Sequence, residues 1–164
     1  MPTPPRKPPV PLSDRTPAGA LGEGVLLGIT GYQVAQVTVV TDRVFDEQVG
    51  GPRQLRRLEF TLLALLHGNP GATARQLARA LAVTPPHIAA AVERLAQRGL
   101  LSRERGEQDA RLQHLTLTRE GADVVATAVP ALQRGESEAF AALSPAERAM
   151  LVELLHKAAR SRRT

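Results

Sequence analysis

The sequence predicts a mainly α-helical fold with one small β-hairpin. Three observations lead there. Apolar residues recur at helical spacing along most of the chain from Leu21 to Arg160. Two short runs, Leu100 to Ser102 and Leu115 to Thr118, flank a polar, charged span and read as strands. The aromatics are only Tyr32, Phe45, Phe60 and Phe140, with no Trp, so the core must be built from Leu, Val, Ile and Ala. Such a core suits packed helices better than a sandwich of sheets.

Taken in order, residues 1–17 hold seven Pro and read as a disordered tail. Leu21 to Val49 carries Val25, Leu26, Ile29, Val34, Val37, Val44 and Phe45 at roughly helical spacing. Val37-Thr38-Val39-Val40-Thr41 prefers strand, and Gly28 and Gly31 weaken a helix. A long helix is the reading chosen, broken at Gly50-Gly51-Pro52. Arg53 to His67 is the next helix, with Leu55, Leu58, Leu62, Leu65 and Leu66 on one stripe, ended by Gly68-Asn69-Pro70-Gly71.

Thr73 with Gln76 three residues later forms a capping box for a short helix, whose Leu77 and Leu81 face inward. After a tight turn, Thr84 caps another helix, with Pro85 at its first position, where a missing N–H costs nothing. Ile88, Val92 and Leu95 mark the buried face, and Gly99 ends the helix. Two short helices joined by such a turn are a helix-turn-helix. The strand from Leu100, the polar segment Arg103 to Arg111, and the return strand with Leu115 and Leu117 then add a β-wing. The whole reads as a winged helix-turn-helix. Thr118 caps a long helix interrupted in pattern by Pro130. Ser144-Pro145-Ala146-Glu147 opens the last helix, where Met150, Leu151, Leu154 and Leu155 form a stripe.

The net charge is +5, and its distribution says more than its size. Residues 52–119 hold eleven Arg against five acids, and that block carries the helix-turn-helix. A concentrated positive field favours a polyanion, here double-stranded DNA. Arg103, Arg105 and Arg111 sit on the wing, where basic side chains reach phosphate or the minor groove. The outer helices have apolar faces without a partner inside the lobe, so they are expected to bury each other across a two-fold axis. Such a dimer sets two reading helices about one DNA turn apart, and the target is then palindromic.

Other function classes find little support. There is no Cys, so disulfides and thiolate chemistry are excluded. His67, His87, His114 and His156 are scattered, and no metal site is expected. No glycine-rich phosphate loop followed by Lys occurs, and no catalytic triad can be read, so the chain is not expected to be an enzyme. No cofactor is implied. Gly24 to Thr41 is free of charge but too polar for a membrane span, and the N-terminus lacks a signal peptide's apolar core, so the expected location is cytoplasmic.

The chain resembles the MarR family of bacterial transcription regulators over about residues 20–160. Asp109-Ala110-Arg111, then Leu117-Thr118 and Gly121, is similar to the family's wing signature. Leu77-Ala78, Leu81, Val83, Val92, Arg94-Leu95, Gly99-Leu100 and Arg103 also fall where the family has its helix-turn-helix and following strand. The resemblance implies a homodimer held by its first and last helices, Arg111 in the minor groove with Asp109 positioning the wing, and a recognition helix starting near Thr84 in the major groove. It also implies a repressor released by a small, often aromatic, effector. One stretch departs from the family: Thr84-Pro85-Pro86-His87-Ile88-Ala89-Ala90-Ala91 replaces the usual polar or basic side chains. On that helix only Thr84, His87 and Arg94 are left to bond with DNA. The expected organisation is a tail over 1–17, a dimerisation helix over 18–51, the DNA-binding lobe over 52–118 and dimerisation helices over 119–164. The alternative reading is a winged-helix protein with weak or lost sequence specificity that acts through protein contacts.

Overall fold

A computed structural model describes residues 15–19, 21–105 and 113–162, with Arg105 by its backbone alone. Most of the proline-rich tail therefore lies outside the described residues. The chain divides into two compact units, Met1–Asp42 and Arg43–Thr164.

In the first unit, a bridge between Arg15 and Gly22 and a 3-10 turn over Gly24–Leu26 precede helix α1, Thr30–Phe45. The helix expected from Leu21 thus begins nine residues later. Gly24 adopts a left-handed φ of 53°, which the interior of a right-handed α-helix cannot contain. The buried Glu23 carboxylate accepts from the Tyr32 hydroxyl at 3.3 Å and from Gln33 Nε2 at 3.4 Å, which folds the entry back on the first turn of α1. The Val-Thr-Val run is helical despite its strand preference.

The second unit begins with the end of α1. Pro52 has no N–H for the Gln48 carbonyl, and its ring crowds that carbonyl. The backbone widens into a π-helical turn over Asp46–Gly50 before α2, Gly51–Arg53. Gln48 O accepts instead from Arg53 Nη1 at 3.0 Å. The helical course therefore does not break at Gly50-Gly51-Pro52, and it ends at Gln54, whose φ is 50°. Arg56 is extended, so α3 spans Arg57–Gly68 rather than starting at Arg53.

Beyond α3 come β1 (Ala72–Thr73), α4 (Ala74–Leu81), α5 (Pro85–Gln97), β2 (Leu101–Arg105), β3 (Gln113–Leu117), α6 (Arg119–Ala139) and α7 (Pro145–Ala159). The sheet has three antiparallel strands in the order β1-β3-β2, with Leu101 opposite Leu117 and Arg103 opposite Leu115. The sequence reading had two strands, because a two-residue strand carries no alternation to read. The core is one cluster in which Leu62, Leu63, Leu66, Ile88, Leu95 and Leu115 are almost fully buried. Burying each such side chain stabilises by about 1.5–3 kcal/mol. α7 contributes no buried residue, and Met150, Val152, Leu154 and Leu155 on it are exposed.

Glycine sets two close approaches. A Cβ on Gly121 would stand 1.9 Å from the Leu100 carbonyl oxygen, so α6 can start against β2 only without one. Thr118 fixes that start: its Oγ1 donates to Gly99 O at 2.6 Å and accepts from Gly121 N at 3.1 Å. At Gly135, α6 closes on Val44 and Gln48, where a Cβ would meet their side chains at 2.9 and 2.8 Å.

Candidate nucleic-acid interface

The helix-turn-helix is built by its caps. Thr73 Oγ1 accepts from Gln76 N at 3.3 Å, and Gln76 Oε1 accepts from Thr73 N at 2.8 Å, the reciprocal pair expected there. Ala82 takes a left-handed φ of 53° as the C-cap of α4 and turns the chain toward Thr84. Thr84 stands at the N-cap of α5, but its hydroxyl makes no cap bond. The reason is local. Pro85 and Pro86 have no N–H, and His87 N bonds the Thr84 carbonyl at 3.1 Å. The Thr84 hydroxyl is thereby left at the exposed start of the helix.

Along α5, Ile88, Ala91, Val92 and Leu95 point into the core. Pro86, His87, Ala89, Ala90 and Glu93 are exposed. Arg94 turns toward α3, where its Nε donates to Glu59 Oε1 at 2.6 Å. Glu59 Oε2 also accepts from Arg56 N at 2.9 Å, and the side chain is only 4% exposed as a residue. Burial alone raises this carboxyl's pKa. The Arg56 N–H and the Arg94 guanidinium outweigh it and hold the group below its ordinary value. Arg98 adds a second brace, donating to Gln54 O and Arg53 O, both at 2.8 Å. The far end of α5 is thus pinned to the corner between α2 and α3.

The wing is tied to the same helix. Arg103 Nη2 on β2 donates to Glu93 Oε2 at 2.5 Å, and Glu93 Oε1 accepts from Gln97 Nε2 at 3.1 Å. The Arg103 hydrogen bond, then its charge, lowers the pKa of Glu93. Arg105 ends β2. Asp109 and Arg111 lie outside the described residues. The structure therefore gathers Thr84, His87 and Arg103 on or beside α5 and engages Arg94 within the fold. Sequence reasoning missed Glu59, Glu93 and Arg98. Glu59 carried a signal, an acid three residues after Arg56 at a helix start. The other two carried none, because their partners are remote or ordinary surface residues in the sequence.

His114 Nδ1 lies 2.7 Å from Gly71 O, a structural contact, and His67 is exposed. Among the described residues no group of His, Asp and Glu could hold a metal ion. No helix among them is long and apolar enough to cross a membrane. An open depression of about 540 Å³ between α3, β1 and α4 is lined by Leu65, Asn69, Gln76, Leu77 and other small or apolar residues. It offers no cationic side chain to an acidic ligand.

A three-stranded wing braced on a helix-turn-helix, in the most basic stretch of the chain, defines a winged-helix DNA-binding protein. The MarR family model matches residues 55–112. A putative transcriptional regulatory protein for the hcr operon of Thauera aromatica is 27% identical over 84% of this chain and 82% of its own length. The transcriptional repressor CouR, solved bound to a 23-mer DNA duplex, is 29% identical with a TM-score of 0.78, covering 85% of this chain and 99% of that one. The PcaV transcriptional regulator of Streptomyces coelicolor, solved with its natural ligand, is 25% identical with a TM-score of 0.73, covering 83% and 95%. Over residues 55–112 the chain is similar to the MarR family, and its fold is that of the DNA-binding transcriptional regulators just described.

Proposed function

We propose that the protein is a sequence-specific repressor whose homodimer binds a palindromic operator in double-stranded DNA and is released by a small, aromatic effector. The observation that carries this reading is the likeness to CouR, a repressor solved on a DNA duplex, across nearly its whole length. The PcaV likeness, a regulator with a natural ligand, supports the effector. Residues 52–118 form the DNA-binding lobe, and 18–51 with 119–164 hold the dimer. Arg111 enters the minor groove, with Asp109 positioning the wing. Arg103 and Arg105 meet phosphate. Thr84 and His87 face the major groove. Arg94 has its Nε held by Glu59, which leaves its two terminal nitrogens for a phosphate.

The test is selection of genomic DNA fragments by the purified protein, followed by titration of the enriched site at several salt concentrations. We expect one palindromic motif, with affinity falling steeply as salt rises because phosphate contacts release counterions. Arg111→Ala should weaken binding by about ten-fold or more, the worth of a lost groove contact. No enriched motif, together with an inert Arg111→Ala, would favour the reading in which the protein works through protein contacts. The outward poverty of α5 in polar groups is the observation behind that second reading.

A further inference from the structure

We propose that α5 reads its operator through thymine methyl groups, with Ala89 and Ala90 as specificity-determining residues. This rests on the reading above that the dimer binds a specific duplex. With Ile88, Ala91, Val92 and Leu95 turned inward, the helix repeat sets Pro86, Ala89, Ala90 and Glu93 on the outer side, and all four are exposed. No Arg, Lys, Asn or Gln stands on α5 before Glu93, so the bidentate pairings with guanine or adenine have no donor there. Glu93 is itself occupied by Arg103 and Gln97. Apart from His87, what α5 presents to a major groove is methyl and methylene surface.

The only apolar feature a base pair shows in that groove is the C5-methyl of thymine. Alanine against that methyl removes water from both. Alanine against guanine N7 and O6, or against cytosine N4, strips water from polar atoms and returns no hydrogen bond. The same two side chains therefore favour thymine and penalise G·C pairs. His87 and the uncapped Thr84 hydroxyl flank them and serve the neighbouring acceptors.

The test uses the unaltered protein. A random duplex library is selected, the enriched site is synthesised, and thymine is replaced by deoxyuridine one position at a time, which removes only the methyl. Half-sites should carry thymine at adjacent positions. Each contacted methyl removed should weaken binding about four-fold, the factor one buried carbon gives. Uracil outside the half-sites should change nothing. In Ala90→Gly, checked for helicity by circular dichroism, the uracil penalty at one position should vanish; if that variant does not fold, the uracil series alone decides. An enriched motif indifferent to uracil overturns methyl readout and leaves specific binding standing. The absence of any enriched motif overturns both.

Discussion

Glu59 joins two elements with one carboxylate: it caps α3 through Arg56 N and holds Arg94 of α5. Its pKa is depressed in the folded protein, so its contribution is complete above the unfolded value of about 4.3 and is lost as pH falls through the folded value. Glu59→Gln keeps the shape and removes the charge. We expect a loss of about 1–3 kcal/mol at neutral pH, read by urea unfolding, and a flatter fall in stability below about pH 4.5 than in the unaltered protein. Gly121 is a simpler case. Its missing Cβ is required by a backbone oxygen that cannot move aside, so Gly121→Ala should destabilise by about 2–3 kcal/mol in the same assay. The Leu-Thr-x-x-Gly pattern was visible in the sequence. Its cause, a helix start lying on the Leu100 carbonyl, was not, because the two residues are 21 apart in the chain.

At the scale of elements, the pair Arg103–Glu93 couples the wing to α5. Arg103→Ala removes a cation and leaves Glu93 uncompensated at the proposed DNA face. Affinity should drop for all sequences alike, and the slope of log affinity against log salt should shrink by about one. Glu93→Gln should act in the opposite sense, releasing Arg103 and tightening binding to random DNA. The caps at Thr73, Thr118 and Ser144 were legible because each is a local pattern four residues long, and each forms the bond expected. The start of α1 and the break near Pro52 were not. Both depend on where a side chain finds its partner: Glu23 on Tyr32 and Gln33, and Arg53 on the Gln48 carbonyl. The first fixes a helix entry after the left-handed Gly24, and the second offsets the breaking tendency of proline, each only once the chain is folded.

For the whole molecule, the exposed apolar residues of α7 are the feature that most needs an explanation. Met150, Val152, Leu154 and Leu155 lie on one helix with none of its residues buried. In the proposed homodimer they are covered by a second copy. Light scattering should give about twice the chain mass of 17.6 kDa. Leu154→Glu with Leu155→Glu should lower that mass to the monomer's and abolish operator binding, and the melting temperature of the unaltered protein should rise with its concentration. The winged lobe was readable from sequence because its core stripe and caps are internal to it. The proposed dimer has its sequence signal only in a missing partner, since an exposed stripe specifies a need and not the geometry that meets it.

The double proline at the start of α5 bears on how new binding preferences could arise. Pro85 and Pro86 preset the first turn by their rings, and the helix owes nothing there to a hydroxyl cap. Positions 87, 89 and 90 lie just beyond, and all three are exposed. Exchanging exposed helical residues at such sites costs at most about 0.7 kcal/mol each, Gly and Pro apart. A combinatorial library at these three positions should therefore yield mostly folded proteins, and operator preference can drift or be engineered there without a compensating change elsewhere.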